Sequence, residues 1–312
     1  MKSRALVLSL CVLFTAAART QQAPAGQAAP DFNPTPLQRE VLAVISGETE
    51  IRPGIKLANR FAPEAKQAAR DYLTTILKRF GLEAKTQPYG TNGGVNLYVV
   101  LPATSAAASG ATDAIVFGAH YDSVRVAPGA NDDGSGVVAV VAVAQAMTQI
   151  TPRSRDIVFA FFDEEERGLL GSKAFAQMLK DENRPIHSVH TIDQMGWDSN
   201  HNRAIELEIP YEGAEDLYKQ AAATLTLNIE MFTTPETGSD HVSFRKLGYK
   251  AVGITEEYRH KDTTPFIHRA GDTFQTIDFD YLASTTKLMV GTRIAFPALT
   301  APITFTPVLV AR

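Results

Sequence analysis

The sequence predicts an α/β fold in one domain, a mostly parallel mixed β-sheet sandwiched between helices. Short, nearly continuous apolar runs recur at 95–102, 114–120, 155–164, 188–193 and 250–256, as strands buried on both faces require. Several are separated by helical stretches at 136–149, 169–181 and 280–295, the alternation that covers both faces of a parallel sheet. With 312 residues, 45% hydrophobic and 21% charged, the composition is that of an ordinary globular chain.

Residues 1–18 read as a secretory signal peptide. Lys2 and Arg4 precede an apolar core from Ala5 to Phe14, and Ala16, Ala17 and Ala18 supply small residues for cleavage. The core is shorter than the roughly 20 apolar residues of a membrane span, so no stable membrane anchor is expected after cleavage. The protein is expected to be exported, periplasmic or secreted. Cys11, the only cysteine, lies inside the signal, which leaves the mature chain without a disulfide. Removing Lys2 and Arg4 takes the formal charge from −4 to −6, with no basic patch, and this argues against nucleic-acid binding. Residues 19–36, rich in Ala, Gln and Pro, read as a flexible lead-in, and the folded domain then spans 37–312. Residues 37–80 look helical, with Ala68, Tyr72, Ile76 and Leu77 on one stripe and Gly81 as the stop.

Ligands of open α/β sheets bind outside the carboxyl ends of the strands, so the polar residues there carry the functional reading. The run "AIVFGAHYDS" ends in His120 and Asp122, which strand alternation sends to one side. A carboxylate so placed can hold the tautomer of a metal-binding imidazole. "PGANDDGSG" is a glycine-rich turn with Asp132 and Asp133 that opens a helix. It has no Lys for a phosphate loop, and Asp133 stands where a nucleophile elbow at Ser135 needs glycine. "IVFAFFDEEERGLLGS" runs an apolar strand into Asp163, Glu164, Glu165 and Glu166; Asp193 follows the strand in "HTIDQMG", and "TTPFIHRAGDT" places His268 ahead of the last helix. His187, His190, His201 and His260 have no comparable setting and read as surface or structural. Each motif alone is weak. Together they bring two histidines and several carboxylates to strand ends, an N/O ligand set that suits zinc.

These motifs, with "GSDHVSF", resemble in order and spacing those of the di-zinc aminopeptidases of the bacterial leucyl aminopeptidase type, whose wider family of zinc exopeptidases includes glutamate carboxypeptidases and glutaminyl cyclases. The resemblance covers Asn96 to the last helix. It implies a zinc peptidase catalytic domain over 37–312 that acts on peptides and holds two Zn2+ ions bridged by Asp132. Glu166 and His268 would complete one ion's shell, and His120 and Asp193 the other's, with Asp122 orienting His120. Glu165 would be the general base for a water activated by the two metals. Asp163 would lend support, Glu164 would be solvated, and the Asp132–Asp133 peptide would be cis. Adjacent side chains diverge, which lets one glutamate bind metal while its neighbour faces the water.

The chain also departs from that pattern. Glu236 stands where such aminopeptidases often carry an oxyanion-binding tyrosine; Tyr258 is a candidate donor because it lies in the segment before His268. Ser239, Asp240 and His241 are consecutive and cannot form a triad; they are expected to shape the substrate pocket wall, with Ser239 or Asp240 as a helix N-cap. A carboxypeptidase or dipeptidase of the same fold would need a cation for the substrate carboxylate, which Arg259 or Arg269 could supply. A glutaminyl cyclase would use one zinc, and a non-catalytic homologue would lack ligands that are all present here.

Overall fold

Along β3 (Ala114–His120), Ile115, Phe117 and Ala119 enter one apolar core, while Ala114 and Val116 enter another on the opposite face. β4 (Asp156–Phe162) divides in the same way, Ile157, Phe159 and Phe161 against Val158, Ala160 and Phe162. A strand with both faces buried reads as a continuous apolar run, which is why these two were legible. The computed structural model describes residues 32–91, 93–104 and 113–292. The predicted signal at 1–18, most of the lead-in, and 293–312 lie outside the described residues.

The remaining elements are α1 (Thr35–Ile45), α2 (Pro63–Arg79), β1 (Lys85–Tyr89), β2 (Gly94–Leu101), α3 (Gly134–Thr148), α4 (Leu170–Asp181), β5 (Ile186–Ile192), β6 (Ile205–Glu208), α5 (Ala214–Leu225), β7 (Met231–Thr234), α6 (His241–Lys246), β8 (Ala251–Glu256) and α7 (Phe279–Gly291). The strands form one mixed sheet in the order β1-β2-β4-β3-β5-β8-β6-β7. Its four central strands, β4, β3, β5 and β8, run parallel, and β2 and β6 join this block antiparallel. α1, α3, α5 and α7 pack together, and α4 and α6 form a separate pair; the core residues of the first group and of the second lie on opposite faces of the sheet. α3 is buried all round from Gly134 to Ala144, as a helix between a sheet and other helices must be.

Three sequence expectations need correction. The helical stretch 37–80 is two helices, separated by a loop in which Gly47 turns at φ +74 against the Leu57 carbonyl; the apolar stripe belongs to α2. The strands β1, β6 and β7 were not foreseen, because they are 4 or 5 residues long and carry Pro88, or Glu206 and Glu208, or paired threonines. The helices α5 and α6 were likewise missed.

Candidate metal centre

The parallel strands deliver their carboxyl ends to one place. β3 ends at His120, β4 runs into the acidic stretch 163–166, and β5 leads directly to Asp193. The loop before α3 brings Asp132, and a loop before α7 brings His268. His120 Nε2 lies 3.3 Å from Asp132 Oδ1, 3.6 Å from Asp193 Oδ1 and 4.0 Å from Glu165 Oε2. His268 Nε2 lies 3.1 Å from Asp132 Oδ2 and 2.9 Å from Glu166 Oε2. Two trios result that could each hold a metal ion, His120–Asp132–Asp193 and Asp132–Glu166–His268. Asp132 belongs to both, with one oxygen toward each.

Buried hydrogen bonds fix this arrangement. Asp122 lies 3.3 Å from His120 Nδ1 without the alignment of a hydrogen bond. Its firmer bonds are from the backbone N–H groups of Glu165 (3.0 Å) and Glu166 (3.3 Å), which pin the 3-10 turn Glu165–Arg167. The Asp132–Asp133 peptide is cis. Asp133 accepts from the N–H groups of His120 (3.1 Å) and Gly136 (2.9 Å), tying the strand end to the start of α3. Asp272 accepts from the N–H groups of Asn131 (2.7 Å) and Asp132 (3.1 Å). The fully buried Arg60 donates to the carbonyls of Tyr121 (2.6 Å), Pro128 (2.7 Å) and Gly129 (2.8 Å), bracing the loop that leads to Asp132. Asp272 lies in the "TTPFIHRAGDT" run and Arg60 in no motif; for both, only the folded loop identifies the task.

Glu164 is not solvated. It takes the left-handed conformation at φ 57, which turns its side chain inward, and it is 3% exposed. Lys66 of α2 reaches it at 3.2 Å and Asp163 at 2.8 Å, and Arg167 also pairs with it. Asp163 supports the turn directly, its Oδ2 accepting from Val95 N–H (3.0 Å).

Crowding sets the electrostatics. Burial pushes Glu165 up to about 10 and Glu166 up to about 7, and the neighbouring carboxylates Asp193 and Asp132 respectively add repulsion. The hydrogen bond to Asp132 raises His268 to about 9. For His120 burial works in the opposite sense, but Glu165 and Asp193 overcome it and hold the ring well above its ordinary value. Cations held by the two trios would relieve this crowding, favouring the ionised form of Glu165 and leaving both Nε2 lone pairs free for coordination.

The centre opens into a cavity of about 800 Å³ lined by Asp193, Glu206, Glu208, Glu236, Ser239, Tyr258 and Arg259 among others. Of the expected pocket-wall residues, Ser239 and Tyr258 line it. Asp240 and His241 do not, because α6 begins there and turns both inward, at 1% and 0% exposure. Neither Ser239 nor Asp240 caps α6 with its side chain. Tyr258 Oη accepts a hydrogen bond from Gln194 Nε2. Arg259 lines the cavity, whereas the exposed Arg269 does not. His190 is structural, bonded to Tyr218 Oη (2.7 Å) and Ser188 Oγ (3.0 Å). His201 falls in a third, separate cluster with Asp198 and Asp278, whose carboxylates are already engaged by Arg203 N–H and by the start of α7.

A sequence profile of peptidase family M28 matches residues 96–292, close to two thirds of the chain. The chain belongs to peptidase family M28. Leucine aminopeptidase 1 of Ajellomyces dermatitidis is 29% identical over 199 residues, covering 57% of this chain and 51% of that protein. The chain therefore spans about half the length of the curated relatives it matches. Among solved structures, the Legionella pneumophila LapA aminopeptidase aligns over 84% of this chain and 71% of that one, with TM-score 0.72 at 20% identity. Porphyromonas gingivalis glutaminyl cyclase aligns over 83% and 96%, with TM-score 0.66 at 18% identity. Both likenesses show a shared fold. Arg60 and Lys66 precede the M28 match, so the braces they provide come from outside the matched segment.

Proposed function

We propose that this M28 chain is a zinc-dependent aminopeptidase that removes N-terminal residues from peptides with two zinc ions per chain. The observation that carries the reading is Asp132, whose two oxygens face two separate His-carboxylate trios. The residues fit zinc. His120 Nε2 and Glu166 Oε1 are buried without a hydrogen-bond partner, which is costly for polar atoms unless something binds them, and the donors are the N/O set zinc takes. His120 and Asp193 would hold one ion, Glu166 and His268 the other, and Asp132 both.

Bound zinc supplies a lowered pKa for a reacting water and polarisation of the scissile carbonyl. The chain's own residues do the rest. Glu165, held by the Asp122 bond to its N–H, takes the water's proton and returns it to the leaving amine. Its neighbour Glu166 points toward His268, so the two glutamates divide the tasks. Tyr258, at the cavity wall, would offer its hydroxyl to a developing oxyanion. Glu206, Glu208 and Glu236 give the wall an acidic character that suits a cationic substrate better than one presenting a carboxylate, for which Arg259 alone would be at hand. Export rests on residues 1–18, and no described helix is long and apolar enough to cross a membrane.

Hydrolysis of aminoacyl anilides compared with N-blocked peptides tests the reading. Cleavage of the free-amine substrates only is expected; cleavage restricted to C-terminal residues would overturn it. Cyclisation of glutaminyl peptides with one metal per chain would place the chain with the cyclases.

A further inference from the structure

The alternation along β6 separates two functions. Ile205 and Leu207 are fully buried in the core, and Glu206 and Glu208 turn the other way, where both line the cavity. Opposite Glu208 in β8 stands Gly253. A Cβ there would lie 2.2 Å from Glu208 Oε2 and 2.7 Å from His241 Nδ1, so the missing side chain is what makes room for this carboxylate. Glu206 is fixed by accepting from the N–H groups of Tyr258 (2.9 Å) and Arg259.

The wall is short of donors. Glu208 Oε2, Thr255 Oγ1 and Gln194 Oε1 are buried and have no hydrogen-bond partner. Glu208 lies 3.3 Å from His241 Nδ1 without an aligned bond. That ring is held low, to about 4, chiefly by burial, and its other nitrogen donates to the Glu236 carbonyl (3.2 Å). Burial beside Asp193, Glu206 and Glu236 pushes Glu208 up to about 8. Outside the metal centre the cavity wall carries three acidic side chains, Glu206, Glu208 and Glu236, and one guanidinium, that of Arg259.

We infer that the Glu206 and Glu208 face of β6 is the floor of a specificity pocket for an N-terminal residue with a cationic side chain, lysine or arginine. The inference rests on the aminopeptidase reading above. β6 lies two strands from β5, the strand that leads to Asp193, which is roughly 10 Å. A long basic side chain spans much of that distance from the centre and brings N–H donors to the acceptors there. A leucine would stop short and leave the carboxylates desolvated and unpaired, which is unfavourable.

The test uses the full chain loaded with zinc and the p-nitroanilides of arginine, lysine and leucine. Higher kcat/KM for the two basic substrates than for leucine is expected. Glu208→Gln and Glu206→Gln, which keep the shape and one acceptor oxygen but remove the charge, should each lower the arginine-to-leucine ratio about 10- to 100-fold. A leucine preference in the unaltered protein overturns the inference. So does an equal fall for all three substrates in the variants, which would place these carboxylates on the α-ammonium instead. Failure to cleave any of the three would remove the aminopeptidase reading itself, an outcome distinct from cleavage with the wrong preference.

Discussion

Replacing Lys66 by Met tests whether the acidic turn is held from beneath by α2. Lys66 is buried, 2.8 Å from Asp163 and 3.2 Å from Glu164, with the two acids 0% and 4% exposed. Removing one partner of a buried ion pair costs about 3–5 kcal/mol, because the other charge is left uncompensated. Arg70, 4.0 Å from Asp163, and Arg167 beside Glu164 remain, which places the expected loss at the lower end, about 3 kcal/mol. In a chain of this size that is about 5 °C in Tm. Denaturant unfolding of the zinc-loaded protein measures it, with Lys66→Arg as the charge-preserving control. A loss below about 1 kcal/mol, the value of an exposed pair, would refute the reasoning and return Glu164 to solvent.

Glu165→Gln should keep its metal and lower kcat about 10²- to 10⁴-fold; full activity in this variant together with inactivity of Glu164→Gln would move the base by one position. His190 is fully buried and is pushed down by burial from 6.5 to about 3. The unfolded chain takes up a proton below pH 6.5 that the folded chain refuses, so this group's share of stability is intact above that pH and is lost as pH falls. Between about pH 7.5 and 5 the loss is about 2 kcal/mol. His190→Gln should flatten that part of the profile in chemical unfolding at the two pH values, and an unchanged acid sensitivity would contradict the assignment.

The sequence revealed the parts of the molecule in which one residue type does one thing. β3 and β4 are apolar on both faces and announced themselves. His120, Asp132, Asp193 and His268 stand out as polar residues where apolar strands stop or glycine-rich turns begin. β6 stayed hidden because "IELE" puts a core face and a cavity face into four residues. Glu164 was misread because its left-handed backbone, which reverses its direction, has no signature in a run of acids. Lys66 and Arg60 were invisible for another reason: their partners are 97 or more and 61 or more residues away for the bonds that matter here, and only the fold brings them together.

Asp132 is proposed to bridge a two-metal centre. Zinc content of the purified full chain, alongside His268→Ala and Asp132→Ala, tests it most directly. Two zinc ions per chain are expected, one retained in His268→Ala with the His120 side still filled, and a further loss in Asp132→Ala. One zinc or none in the unaltered protein, or two retained without Asp132, would contradict it.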